Sequence, residues 1–161
     1  MQTSLMLVFS FAPLRLCVRK FQHIYLLLLL IQSACAPKSE NADSSSVKFQ
    51  QYFVQGQVLY QKHCSNCHQA NGKGLGRIYP PVDRSDFMDK NFEEVICIIK
   101  YGSQGPLMVN GVEYNMAMKG NPQLTELEVA EITTYIYNSW SRQKGLVNVK
   151  EVTEILARCT D

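Results

Sequence analysis

From Val47 to His63 apolar side chains recur at three- and four-residue spacing. Phe49, Tyr52, Phe53, Leu59 and Tyr60 share a face with Gly56, the period of an amphipathic α-helix. A second such stretch runs from about Asn91 to Tyr101, with Phe92, Val95, Ile96 and Ile99 as its stripe. Asn91 stands where a cap belongs, Glu93 and Glu94 suit a first turn, and Gly102 suits a stop. A third runs from about Thr125 to Arg142 and carries Leu127, Val129, Ile132, Tyr135, Ile136 and Trp140. Thr125 and Glu128 have capping-box spacing, and Gly145 is placed to end the helix. A short tail helix is expected over about Val149 to Arg158. Between the second and third helices, Asn110-Gly111 separates two short apolar runs, Leu107–Val109 and Val112–Tyr114, a strong hairpin signal. The expected fold is therefore all-α with one small β-hairpin. Within the first helix Gly56 costs about 1 kcal/mol relative to Ala. Such a glycine suggests close approach by another helix, with a tolerated surface glycine as the plain alternative.

The apolar pattern changes character upstream. Ile24 to Ile31 is an unbroken apolar run, preceded by Arg15, Arg19 and Lys20, with no acid before Glu40. A basic segment, a short apolar run and then small residues form a secretory signal; the run is too short for a comfortable membrane span. It ends at Gln32-Ser33-Ala34-Cys35, which resembles a bacterial lipobox and departs from it at Gln32. That resemblance implies lipidation of Cys35. An ordinary cleaved signal, or an uncleaved anchor reaching back to Met1, are the alternatives. In each case the domain is exported, and the lipobox places it on the periplasmic side of the cell envelope, held to the membrane by lipid. Ala36 to Ser46 is small and polar and reads as a flexible tether. The expected organisation is a signal over 1–34, a tether over 35–47, a globular domain over 48–144 and a tail helix over 145–161.

Composition adds little. A chain of 161 residues, 46% hydrophobic, allows one domain with an appended tail. Setting aside the three basic residues of the signal turns the formal charge of +2 into about −1. No basic patch is interleaved with aromatics, so nucleic acid is not an expected partner.

The chemistry is concentrated in Cys64-Ser65-Asn66-Cys67-His68. Cys-x-x-Cys-His is the attachment pattern of a covalent c-type haem. Thiols three apart share a helical face and can reach the two vinyl groups on one porphyrin edge. The adjacent His68 then lies where its imidazole can bind the iron. A zinc site would need a second close pair of ligands, but Cys97 and Cys159 are single and no His follows His68. A thioredoxin-like motif would sit in a βαβ context, which is not visible. A Cys64–Cys67 disulfide would leave His68 without a role. With Cys17 removed with the signal, Cys35 lipidated and Cys64 and Cys67 on haem, Cys97 and Cys159 remain, and an oxidising compartment favours their pairing; two free thiols are the alternative.

Ala70 to Pro81 is a glycine-rich loop that follows no strand and lacks the ending of a phosphate loop, so packing against a cofactor is its expected role. Arg77 and Tyr79 are candidates for the haem propionates, Arg because its guanidinium suits carboxylates; a solvated loop charge is the alternative for Arg77. The turn-rich segment from Tyr114 to Pro122 can hold a side chain over a ring, and it contains Met116 and Met118. Met88 and Met108 read as packing residues.

Taken together, Gly56, Tyr60, the Cys64–His68 motif, Pro80 or Pro81, the methionine segment and the helix bearing Tyr135 make the chain resemble a bacterial class I cytochrome c from about Phe49 to Trp140. The resemblance implies one covalent haem c, a Pro80 or Pro81 carbonyl on His68, and Tyr135 crossing the first helix at Gly56. It implies Met118 as the distal iron ligand, with Met116 as the alternative; Lys119 follows where many relatives have Pro. The implied function is electron transfer between redox proteins, as a free carrier or as a subunit of an oxidase, reductase or dehydrogenase complex. A haem sensor or peroxidase-like enzyme is a third reading, and it requires an open sixth position.

Overall fold

The structure, a computed structural model, describes residues 40–159. The signal segment and Cys35 lie outside the described residues. Helix α1 spans Glu40–His63. It therefore takes in residues 40–47, which the sequence placed in a flexible tether. No Pro or Gly interrupts residues 40–55, and once a packed helix is nucleated each added residue gains a hydrogen bond at little further cost. The motif turn α2, Ser65–His68, follows directly.

Two short helices come next, α3 (Asp86–Lys90) and α4 (Phe92–Tyr101). At five residues, α3 is too short to leave a periodic signature. It also displaces the expected cap: the Asn91 side chain makes no bond to the α4 N-terminus and instead donates to the Phe87 carbonyl at 2.9 Å. Strands β1 (Gly102–Ser103), β2 (Leu107–Val109), β3 (Val112–Tyr114) and β4 (Met118–Lys119) form two antiparallel pairs. The hairpin β2–β3 pairs Leu107 with Tyr114 around Asn110 and Gly111, whose φ values of 53° and 74° are those of a primed turn. The ladder β1–β4, pairing Ser103 with Met118, was not expected, since two-residue strands carry no alternation. Met108, expected to pack, is 55% exposed on the hairpin.

Helix α5 covers Glu126–Ile136, six residues short of the expected end at Arg142. The apolar pattern runs on because the Trp140 ring folds back onto Tyr60 and Tyr135, with centroids 5.6 and 5.7 Å away. The Asn138 amide takes up the freed backbone groups, donating to Thr134 and Gly145 carbonyls at 2.7 and 2.8 Å and accepting from Gly145 N–H. Leu127, assigned to the buried stripe, is exposed. Helix α6, Val149–Leu156, puts Val152, Ile155 and Leu156 into the same core as Ile96, Val129 and Ile132. Cys159, just beyond it, is disulfide-bonded to Cys97 of α4, with Cα atoms 5.8 Å apart. Closing a loop of 62 residues restricts the unfolded chain by about 4 kcal/mol.

The close approach of α1 to α5 is at Gly56. A Cβ there would overlap the Glu131 carbonyl and come within 2.9 Å of Tyr135 Cβ. Gly56→Ala, which raises helix propensity, is therefore expected to destabilise by about 1–3 kcal/mol through overpacking, read as a lower denaturant midpoint.

At the start of α5 the Glu128 carboxylate accepts from Thr125 N–H at 2.8 Å and from its hydroxyl at 2.9 Å, while Thr125 Oγ1 accepts from Glu128 N–H. The backbone bond chiefly, then the hydroxyl, holds this carboxyl below its ordinary value of 4.5. A lowered folded value means that the contribution is present above 4.5 and lost as pH falls through the folded value. Glu128→Gln is expected to lower the melting temperature near neutral pH, with the difference from the parent shrinking toward pH 3.

Candidate functional site

α1 carries the chain straight into the motif: Cys64 N–H donates to Tyr60 carbonyl at 2.9 Å, and Cys67 and His68 N–H groups then close on the Cys64 carbonyl at 3.2 and 3.0 Å. This single turn sets the two thiols three residues apart at one cavity wall. Gln69, with φ of 63°, ends the turn. The Tyr60 phenol, wholly buried, donates to the Gln69 carbonyl at 2.8 Å. Its pKa is raised, first by burial and then by proximity to Cys64 and Tyr135, so it remains a donor.

His68 Nδ1 lies 2.9 Å from the Pro80 carbonyl. A carbonyl only accepts, so Nδ1 carries the hydrogen and Nε2 keeps its lone pair. Burial lowers the His68 pKa, with the Pro80 bond acting in the opposite sense; the imidazole is neutral at neutral pH, the form that ligates a metal. The approach of Pro80 depends on Gly74. At φ of 69° its N–H donates to the His68 carbonyl at 3.0 Å, and a Cβ there would overlap the Tyr79 carbonyl and lie 2.7 Å from Pro80. Arg142 braces the other end of the same segment, donating to Val82 and Ser85 carbonyls at 2.7 and 2.9 Å and to Asp89 at 2.7 Å. The sequence marked Arg142 only as the approximate end of the third helix, because carbonyls about 60 residues away leave no trace in a pattern.

Two adjoining cavities open over this turn. The inner one, about 90 Å³, has apolar walls from α4 and α5, among them Val95, Ile98, Ile99, Ile132 and Ile136. The outer one, about 580 Å³, is walled by Cys67, Tyr79, Tyr114, Met116 and the loop to Gln123. Cys64, His68, Pro80 and Met118 line both. Met118 is half-buried on β4, whereas Met116 is 55% exposed and lines the outer cavity alone. Tyr79 is half-buried and lines the outer cavity; Arg77 is exposed and lines neither. His63 and Met88 line the outer and inner cavity respectively. Neither Cys64 nor Cys67 takes part in a disulfide. Burial first, and then the nearness of Cys67, pushes the Cys64 thiol up to about 12, so it is held uncharged.

The residues fit a haem. The joint volume falls within the range of ligand pockets, which is roughly 300–1,000 Å³. The walls suit a flat apolar macrocycle, two thiols border it, and a neutral imidazole with its Nε2 lone pair available lines it.

Comparison with known proteins agrees with this chemistry. Residues 53–140, more than half of the chain, match the cytochrome c family, and the chain belongs to it. Cytochrome c-552 of Thermus thermophilus is 32% identical over 102 residues, covering 61% of this chain and 77% of that protein. The cytochrome c subunit of a quinone alcohol dehydrogenase from Gluconacetobacter polyoxogenes is 28% identical over 105 residues, which is 63% of this chain and 22% of that subunit. The cofactor is thus haem c, and the role is haem electron transfer rather than catalysis. Bacterial relatives of this kind are typically exported to the periplasm or envelope.

Proposed function

We propose that this chain is an exported, lipid-anchored mono-haem cytochrome that passes single electrons between redox proteins at the membrane, with Cys35 as the lipidated residue. Cys64 and Cys67 would hold the haem as thioethers, and His68 Nε2 and Met118 would bind its iron. When bound, haem supplies an iron that accepts and releases one electron without a bond being made or broken in a substrate. The observation that carries this reading is that Cys64, His68 and Met118 line the same apolar cavity.

The chain's own residues do the rest. Pro80 fixes the ring of His68 and keeps Nδ1 protonated; a hydrogen bond at the far nitrogen orients a ligating imidazole and raises its basicity. The apolar α4 and α5 walls exclude water, which favours the less charged state of an iron centre. Met118 is preferred to Met116 because it is half-buried and borders both cavities, while the Met116 side chain is largely in solvent. A thioether sulfur paired with histidine would favour the ferrous state and electron transfer over ligand activation. Tyr79 remains a proposed contact at the outer cavity. Arg77, exposed and outside both cavities, is supported only through the proximity of its loop to the site.

A second reading, a fixed subunit of a dehydrogenase or similar complex, draws support from the 28% identity to the cytochrome c subunit of the quinone alcohol dehydrogenase. Its chemistry at the site is the same.

Two measurements test the proposal. Met118→Ala is expected to abolish the far-red sulfur–iron band of the ferric protein, convert it to a high-spin or water-ligated spectrum and lower the reduction potential. An unchanged spectrum removes Met118 as ligand. Cys35→Ala is expected to move the protein from the membrane fraction to the soluble periplasmic fraction; if the substituted protein remains membrane-bound, the anchor is not a lipid on Cys35.

A further inference from the structure

The segment that carries Met118 has little regular structure of its own, yet it is held to the end of α4 by bonds running in both directions. From the segment toward the helix, Asn121 N–H donates to the Ile99 and Lys100 carbonyls at 3.3 and 3.0 Å, and Asn121 Nδ2 donates to Ile99 again at 3.3 Å. These are the last-turn carbonyls that a helix cannot satisfy by itself. From the helix toward the segment, Lys100 Nζ donates to the Pro122 carbonyl at 2.8 Å and to the Leu124 carbonyl. Gly102 and Gly120 let the two backbones touch: a Cβ on Gly102 would lie 2.7 Å from Gly120 N, and one on Gly120 would overlap the Tyr101 carbonyl carbon. The ladder Ser103–Met118 begins at this contact. On the other face, α4 presents Val95, Ile98 and Ile99 to the inner cavity. One helix thus forms a wall of the haem cavity and sets where Met118 stands beside it.

We propose that Lys100 is a positioning residue for the distal ligand: its ammonium, clamped on the Pro122 and Leu124 carbonyls, holds the Met118 segment against α4 and so sets how tightly Met118 occupies the sixth iron position. The inference rests on Met118 being that ligand. Lys100 touches neither cavity and acts only through the backbone it fixes. Three features make it the controlling member of the clamp. Its bonds are charge-assisted, about twice as strong as neutral ones. They reach the segment beyond Asn121, at Pro122 and Leu124, where neither the β1–β4 ladder nor the Asn121 bonds hold it. A cation in the last turn of α4 is also favoured by the helix dipole.

The test is a competition at the iron in the haem-loaded ferric protein. Imidazole must displace Met118, so its apparent affinity rises as Met118 is held less firmly. Lys100→Met keeps the length of the side chain and removes the donors. Imidazole is expected to bind it about tenfold more tightly, equivalent to about 1.4 kcal/mol, together with a weaker far-red sulfur–iron band. Lys100→Arg, which retains a donor, should restore affinity to within about twofold of the parent. Val152→Ala, which removes buried volume in α6 and lines neither cavity, should lower the melting temperature without changing imidazole affinity. In a Met118→Ala background, Lys100→Met should change nothing further. Should Lys100→Met fail to take up haem, Asn121→Ala makes the same comparison, because it removes the amide donor to Ile99 from the same clamp.

Unchanged imidazole affinity in Lys100→Met, an equal gain in Val152→Ala, or an effect that persists without Met118 would each overturn the inference. Failure of the underlying reading looks different. There, Met118→Ala itself leaves the spectrum and the imidazole affinity at parental values, and the role of Lys100 falls with it.

Discussion

The hydrogen bond from His68 Nδ1 to the Pro80 carbonyl joins the two halves of the site. On one side it fixes the motif turn at the end of α1, and on the other it fixes the loop that passes over that turn, together with the Gly74 N–H bond to the His68 carbonyl. Much of the neighbouring architecture serves this contact. Gly74 removes the side chain that would keep Pro80 away. Tyr60 ties down Gln69 directly after the histidine. Arg142 holds Val82 and Ser85, just beyond the prolines. A ligating imidazole is useful only in one tautomer and one orientation, and neither follows from the motif alone.

The second requirement is an apolar space with walls that do not collapse. Protein interiors are close-packed, so a cavity that adjoins the core needs a frame that resists closing. α1 and α5 supply it by crossing at Gly56, where backbone meets backbone. The Phe53, Tyr60, Tyr135 and Trp140 rings pack around that crossing at centroid distances of 5.3–5.7 Å. The Cys97–Cys159 bond fastens α6 to α4 behind the cavity wall. The tail is therefore part of the frame, although the sequence presents it as an appendage.

The methionine side is built differently. Its segment depends on bonds to the end of α4 rather than on packing of its own, and Met116 and Ala117 are exposed. The His68 side is fixed through the Pro80 bond and buried aromatics, the Met118 side through a polar clamp. Such an asymmetry leaves the Met118 side as the part of the site whose position depends most on hydrogen bonds.

Local spacing determined a large part of this protein. The helical periods, the Thr125–Glu128 capping box, the Asn110–Gly111 turn and the Cys-x-x-Cys-His motif each depend on residues within four positions of one another, and such interactions are written directly into neighbouring side chains. Tertiary structure decided the rest, because the deciding partners lie far away along the chain. α5 stops at Ile136 because Asn138 can satisfy its end and the Trp140 ring has a place on Tyr60. Asn91 turns from its cap to Phe87 because α3 ends beside it. The choice of Pro80 over Pro81 depends on Gly74, and the clamp at Lys100 depends on carbonyls more than 20 residues away. A periodic pattern reports which face of an element is buried; it carries no information about which distant carbonyl an amide or ammonium will find once the faces have packed.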